Sequence, residues 1–136
     1  MSKSNATESD FLSLAFTATA LSWAAATELD IHLHTADPGE AGVSTTSEAT
    51  YTNYARVAVL RTSAGWTVTA NSVENADLIQ FPQCGASGNT VTHVGIGTAL
   101  SGAGKLLYVG ALTSSLAVAN LIQPQFVAGA LTVEET

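Results

Sequence analysis

Along residues 28–133 apolar and polar positions alternate with period two, the signature of half-buried strands. The runs are 29–35, 54–62, 65–70, 76–81, 90–98, 105–112, 117–122 and 126–133. Alternation is clearest in Tyr54-Ala55-Arg56-Val57-Ala58-Val59-Leu60. There Ala55, Val57 and Val59 take one face, and Tyr54, Arg56, Ala58 and Leu60 the other. Turn signals separate the runs: Asp37-Pro38-Gly39, Ser63-Ala64-Gly65, Cys84 to Asn89, Ser101-Gly102-Ala103-Gly104, Thr113-Ser114-Ser115 and Gln123-Pro124. Short strands at this spacing predict an all-β fold: a jelly-roll-like antiparallel β-sandwich of about eight strands. Gly95 and Gly97 lie two apart in one strand, where interior glycines mark a bulge or a close backbone approach.

The first 25 residues follow another period. Residues 1–9 are polar and read as a flexible arm. Ser9 or Asp10 can cap a short helix over about 10–25. Phe11, Leu14, Ala15, Ala18, Leu21 and Ala25 form one stripe on that helix; Leu12, Phe16 and Trp23 form a second. One stripe suffices for a helix on a single core. The second predicts either deeper burial or a contact surface, with Leu12, Phe16 and Trp23 as the interface candidates. The charge-free run 11–26 does not read as a signal peptide, because Glu8 and Asp10 precede it where basic residues belong. It is also too short to span a bilayer.

A chain of 136 residues reads as one domain, residues 10–136, behind the arm. Only 11% of residues are charged, against about 25% in an average protein. Surface this poor in charge predicts contact with other subunits. Four Lys and Arg against 11 Asp and Glu cannot build a basic groove, so nucleic acid is excluded as a partner. A single cysteine excludes an internal disulfide.

No constellation of catalytic, cofactor-binding or metal-ligating residues emerges. His32 and His34 share a strand face and, with His93, are the one metal candidate; the plainer reading is a pair of half-exposed strand histidines. Cys84 lacks the electropositive setting that a reactive thiol needs. Ser101-Gly102-Ala103-Gly104-Lys105 resembles a phosphate loop but has Ala99 and Leu106 where Gly and Ser or Thr belong. Glu28 and Asp30 share a face if extended, and read as solvated carboxylates. Arg56, one of four cations, sits mid-strand and is a structural candidate: it either seeks a carboxylate fork or snorkels over the open face.

Leu33 to Gly42, Tyr54 to Val59, Gly65 to Val68, Thr92 to Thr98 and Gly110 to Leu112, in that order and spacing, resemble a family of small tailed-bacteriophage virion proteins. Its members are labelled cement (capsid-decoration) proteins or, loosely, tail-fibre proteins. The resemblance spans about residues 10–135 and departs at the polar insert 43–53. It implies a jelly-roll-like sandwich made in the host bacterial cytoplasm. It further implies a homo-oligomer, a dimer by preference, that binds the major capsid protein on the outer surface of an icosahedral head. The family carries no catalytic residues, cofactors or membrane partners. Asp37, Pro38 and Gly39 then read as a structural turn from which the insert leaves the sandwich. Two alternatives stand beside the cement reading: a tail or tail-fibre attachment module, and a metal-dependent sugar-binding or enzymatic sandwich using His32, His34 and His93.

Overall fold

A computed structural model describes residues 1–136. The chain is mostly β. In chain order its elements are β1 (Ser2–Lys3), α1 (Asn5–Thr17), β2 (Glu28–His34), β3 (Val57–Leu60), β4 (Trp66–Thr69) and β5 (Ser72–Asn75). They continue with β6 (Ile79–Gln80), β7 (Asn89–Gly97), β8 (Leu106–Val118), β9 (Gln125–Phe126) and β10 (Thr132–Glu134). Every strand pairing is antiparallel. A five-stranded sheet runs β1-β8-β7-β2-β3, a three-stranded sheet β10-β5-β4, and β6 pairs with β9. The fold is an all-β, sandwich-like architecture with one short N-terminal helix.

The inner face of the large sheet carries Ile31 and Leu33 of β2 and Val91, Val94 and Ile96 of β7. These pack with Ile79, Phe81, Leu131 and Val133 from the smaller sheets and their loops. Tyr54 stacks on Phe81 (centroids 6.4 Å apart), and Phe126 meets Phe81 edge-on (6.3 Å). The other face of β2 is also covered: Asp30, His32 and His34 are at most 2% exposed, and Ser44, Thr46 and the Lys105 carbonyl stand on that side. β2 is therefore buried on both sides although its sequence alternates.

Several expectations change. Residues 2–3 are not a free arm: they pair with Val109 and Tyr108 of β8. The helix starts at Asn5, not at residue 10, because Ser4 is its cap. The Thr7 amide donates to Ser4 Oγ (3.2 Å), and Ser4 is itself buried. The helix stops at Thr17, well short of residue 25. Thr17 Oγ1 donates back to the Ser13 carbonyl (2.7 Å), and Ala18 turns left-handed with φ 53°.

The strand 54–62 shortens to β3, and a strand absent from the sequence reading, β5, forms a hairpin with β4. Runs 105–112 and 117–122 merge into β8. Thr113-Ser114-Ser115 is not a chain reversal but a bulge: Val91 faces Leu116 while His93 faces Ala111. The run 126–133 splits into β9 and β10.

The insert 43–53 does not leave the sandwich. Ala49 and Tyr51 belong to the core and Ser44 is fully buried. The Ala49 amide donates to the Leu33 carbonyl (2.8 Å), and His34 forms an isolated bridge with Glu48.

Candidate functional site

Two features stand out: an apolar helix face open to solvent and a buried polar layer on the outer face of β2. On α1, Leu12 is 60% and Phe16 82% exposed, one turn apart, and Leu14 is 45% exposed. The only buried residue of the helix is Thr7. Neither predicted stripe is core.

Trp23, expected beside Leu12 and Phe16, lies beyond the helix end and points elsewhere. Its ring packs on Phe11 (centroids 6.3 Å apart), its Nε1 donates to Asp10 Oδ2 (3.0 Å), and the Arg61 guanidinium sits 5.0 Å from its centroid. Arg61 Nη1 donates to the carbonyls of Trp23, Ala24 and Ala26, pinning the segment after the helix. Lys105 Nζ joins Asp10 (2.6 Å), which holds that carboxyl below the usual range.

The polar layer is built on β2 and β7. Successive strand residues alternate faces, so the Ile31 and Leu33 side chains enter the core and Asp30, His32 and His34 leave the other way. Both histidines are fully buried, not half-exposed. Ser44 and Thr46 stand on their side of the sheet, whereas residues 47–49 pair along the edge of β2. His32 Nδ1 is 2.7 Å from His34 Nε2, and His34 Nδ1 is 2.8 Å from the Thr46 carbonyl. A carbonyl only accepts, so His34 Nδ1 bears the proton, its Nε2 accepts, and His32 Nδ1 donates. Burial pushes His32 down to about 3 and also lowers His34, so both are neutral. His93 pairs with His34 across β7 and β2, half-buried, its Nδ1 bonded to Thr92 Oγ1 (2.8 Å). The structure holds no group of three or more His, Cys, Asp or Glu side chains placed to hold a metal ion.

Arg56 is buried and forked on the half-buried Glu48 carboxylate, not placed on an open face. Its Nε and Nη2 donate to Glu48 Oε1 (2.6 Å) and Oε2 (2.8 Å). Its Nη1 and Nη2 donate to the Ala99 and Gly102 carbonyls, both at 2.7 Å. Tyr54 Oη donates to Glu48 Oε1 (2.9 Å) and accepts from the Leu33 amide (3.1 Å). The layer thus ties β2, the 43–50 segment and the β7–β8 turn together. Arg56, expected mid-strand, lies just before β3; its partner Glu48 carried only a weak sequence signal, a lone carboxylate in a Ser/Thr-rich insert eight residues earlier. Asp37 Oδ1 accepts from the Gly39 amide (2.8 Å), Pro38 is buried and Gly39 is left-handed (φ 74°), a side-chain-stabilised turn.

The remaining candidates are structural in their contacts. Cys84 is buried, with Sγ 3.4 Å from the Gly85 and Ser87 carbonyls. The 101–104 segment is the β7–β8 turn, with Gly102 and Gly104 left-handed. Glu28 is half-buried, whereas Asp30 is 2% exposed, and burial raises its carboxyl. All four Lys and Arg are engaged within the chain: Lys3 with Glu135, Arg56 with Glu48, Lys105 with Asp10, and Arg61 with carbonyls.

Residues 2–134 match the family described as Podophage GP4 fiber I protein gp80. The chain belongs to this family. It is a phage structural protein. None of the curated proteins matches it.

Proposed function

We propose that this chain is a non-enzymatic virion subunit of the tail or fibre apparatus, assembled through its exposed helix face. The observation that carries the reading is the family match over residues 2–134, to proteins described by a fibre name. The structure adds a surface suited to assembly: Leu12 and Phe16 project from a helix whose only buried residue is Thr7. Aromatic and aliphatic anchors of this kind dominate contact energies when a partner covers them. The internal engagement of all four cations supports a protein partner over a nucleic acid.

The fibre name favours the attachment-module reading over decoration of the outer capsid surface. Assembly as a homo-oligomer, a dimer or higher, fits the low charge content of the chain. Copy number per virion separates the two locations. Cryo-electron microscopy of intact particles should show this chain at one vertex, at a few to a few dozen copies. Hundreds of copies spread over the shell, bound to the major capsid protein, would overturn the fibre reading and restore the cement one.

A further inference from the structure

A second apolar surface lies open between the two larger sheets. It is a cleft of about 790 Å³. Leu29, Ile96 and Tyr108 of the five-stranded sheet line one side, and Trp66, Val68 and Val73 of the β4–β5 hairpin the other. Val68 is 73% exposed. Two polar groups on the lining are already spent. Tyr108 Oη donates to Glu135 Oε1 (2.6 Å), and the Asn71 side-chain amide donates to the Glu135 carbonyl (2.8 Å). The cleft therefore suits apolar side chains better than a polar small molecule, which needs several convergent polar groups.

One charged group there is unspent. Arg61 also lines the cleft, and it is the one cation of the chain without a carboxylate partner. Only its Nη1 is bonded, to the carbonyls that follow the helix. The helix carries the matching pattern. Glu8, Leu12 and Phe16 recur at every fourth residue of α1, a stripe about 12 Å long. All three are exposed, and Glu8 has no ion-pair partner. An acidic end followed by two apolar anchors complements a guanidinium beside an apolar cleft. Amphipathic helices enter hydrophobic grooves through anchors at this spacing.

The two surfaces adjoin. Phe11 of α1 packs on Trp23, and Arg61 both sits over Trp23 and lines the cleft. Yet Leu12 and Phe16 are 60% and 82% exposed, so they do not enter the cleft of their own chain. A two-fold axis lets each copy cover both surfaces of the other, and such an interface closes. We propose that the Glu8, Leu12 and Phe16 stripe of one copy docks in the cleft of a second copy, and reciprocally, with Glu8 on Arg61. This rests on the reading of α1 as an assembly surface and names its partner.

The test uses the purified full chain. Sedimentation should show a concentration-dependent dimer. Phe16→Ala and Val68→Glu should each weaken it about 30-fold or more, as loss of an anchor does. Both positions are exposed, so the melting temperature should hold. Glu8→Lys should weaken the dimer several-fold at low salt and less at high salt. On oxidation, a chain carrying both Phe16→Cys and Val68→Cys should close as a bridged dimer, and neither substitution alone should bridge. Bridging by Phe16→Cys alone means helix against helix and overturns the proposal. So does a bridged monomer, a ladder of larger products, or a Val68→Glu dimer as tight as wild type. A wild-type chain that is monomeric at every concentration also overturns it. The fibre reading is judged separately, by copy number per virion.

Discussion

The imidazole of His32 occupies the place where a side chain of Gly95 would stand. A Cβ on Gly95 would fall 2.3 Å from His32 Cε1 and 2.5 Å from its Nδ1. The two residues are register partners on β2 and β7. The Gly95-Ile96-Gly97 spacing thus exists to seat one buried ring, whose Nδ1 then reaches His34.

Gly95→Ala should destabilise the fold by about 2 kcal/mol or more, the scale of overpacking a tight interior. Urea unfolding would measure it. Because the clash is with His32, the double variant Gly95→Ala/His32→Ala should be less destabilised than the sum of the singles. Additive losses would show that the ring is not what the methyl meets.

Removing one partner of the Arg56–Glu48 fork should be severe. Arg56→Met leaves the half-buried Glu48 carboxylate beside Tyr54 with its countercharge gone, which should cost about 2 kcal/mol, between an exposed pair and a fully buried one. Hydrogen exchange should accelerate at residues 43–50 before the core strands. Unchanged protection there would refute the role of the fork as the clasp of that segment.

Acid should weaken the protein in a window set by the histidine pair. His32 and His34 are held below 6.5 in the folded state by burial, whereas the unfolded chain protonates near 6.5. The stability present above 6.5 is therefore lost as pH falls toward about 3 for His32. Each histidine contributes a slope of up to about 1.4 kcal/mol per pH unit in that window. Asp30 acts oppositely: its raised carboxyl favours folding at low pH, and that contribution disappears as pH rises through its folded value. Asp10 and Glu135, both lowered, lose their contribution only below the carboxylate range. The melting temperature should fall between pH 7.5 and 5, and His32→Gln should flatten that fall. A wild-type curve level over this range would contradict neutral, buried histidines.

Leu12→Ser/Phe16→Ser should leave unfolding within about 0.5 kcal/mol of wild type, as expected of exposed positions. The same variant should lose self-association in light scattering, or incorporation into virions. Intact assembly would remove α1 from the contact surface. Trp23 is not interchangeable with them: Trp23→Ser breaks the Asp10 bond and the Phe11 contact, and should lower stability.

Much of the architecture was legible in the chain. Period-two alternation marked the long strands β2, β7 and β8, and Gly, Pro and Asp marked most reversals, because strand faces and turn dihedrals are local properties. The Asp37-Pro38-Gly39 turn was legible for the same reason. Helix limits were not, since both ends depend on whether Ser4 reaches the β8 carbonyls and on Thr17 bonding backward.

The sequence by itself determined an acidic, charge-poor, cysteine-poor β protein with an apolar N-terminal segment and a family likeness. Only the tertiary structure decided which polar residues are buried. His32 and His34 look like open-face residues by alternation, yet both are fully buried, with Ser44 and Thr46 on that face. Arg56 and Glu48, equally, carry no local mark of pairing. Burial of a polar group depends on what lies across the sheet from it, and long-range contact of that kind leaves no periodic trace in the chain.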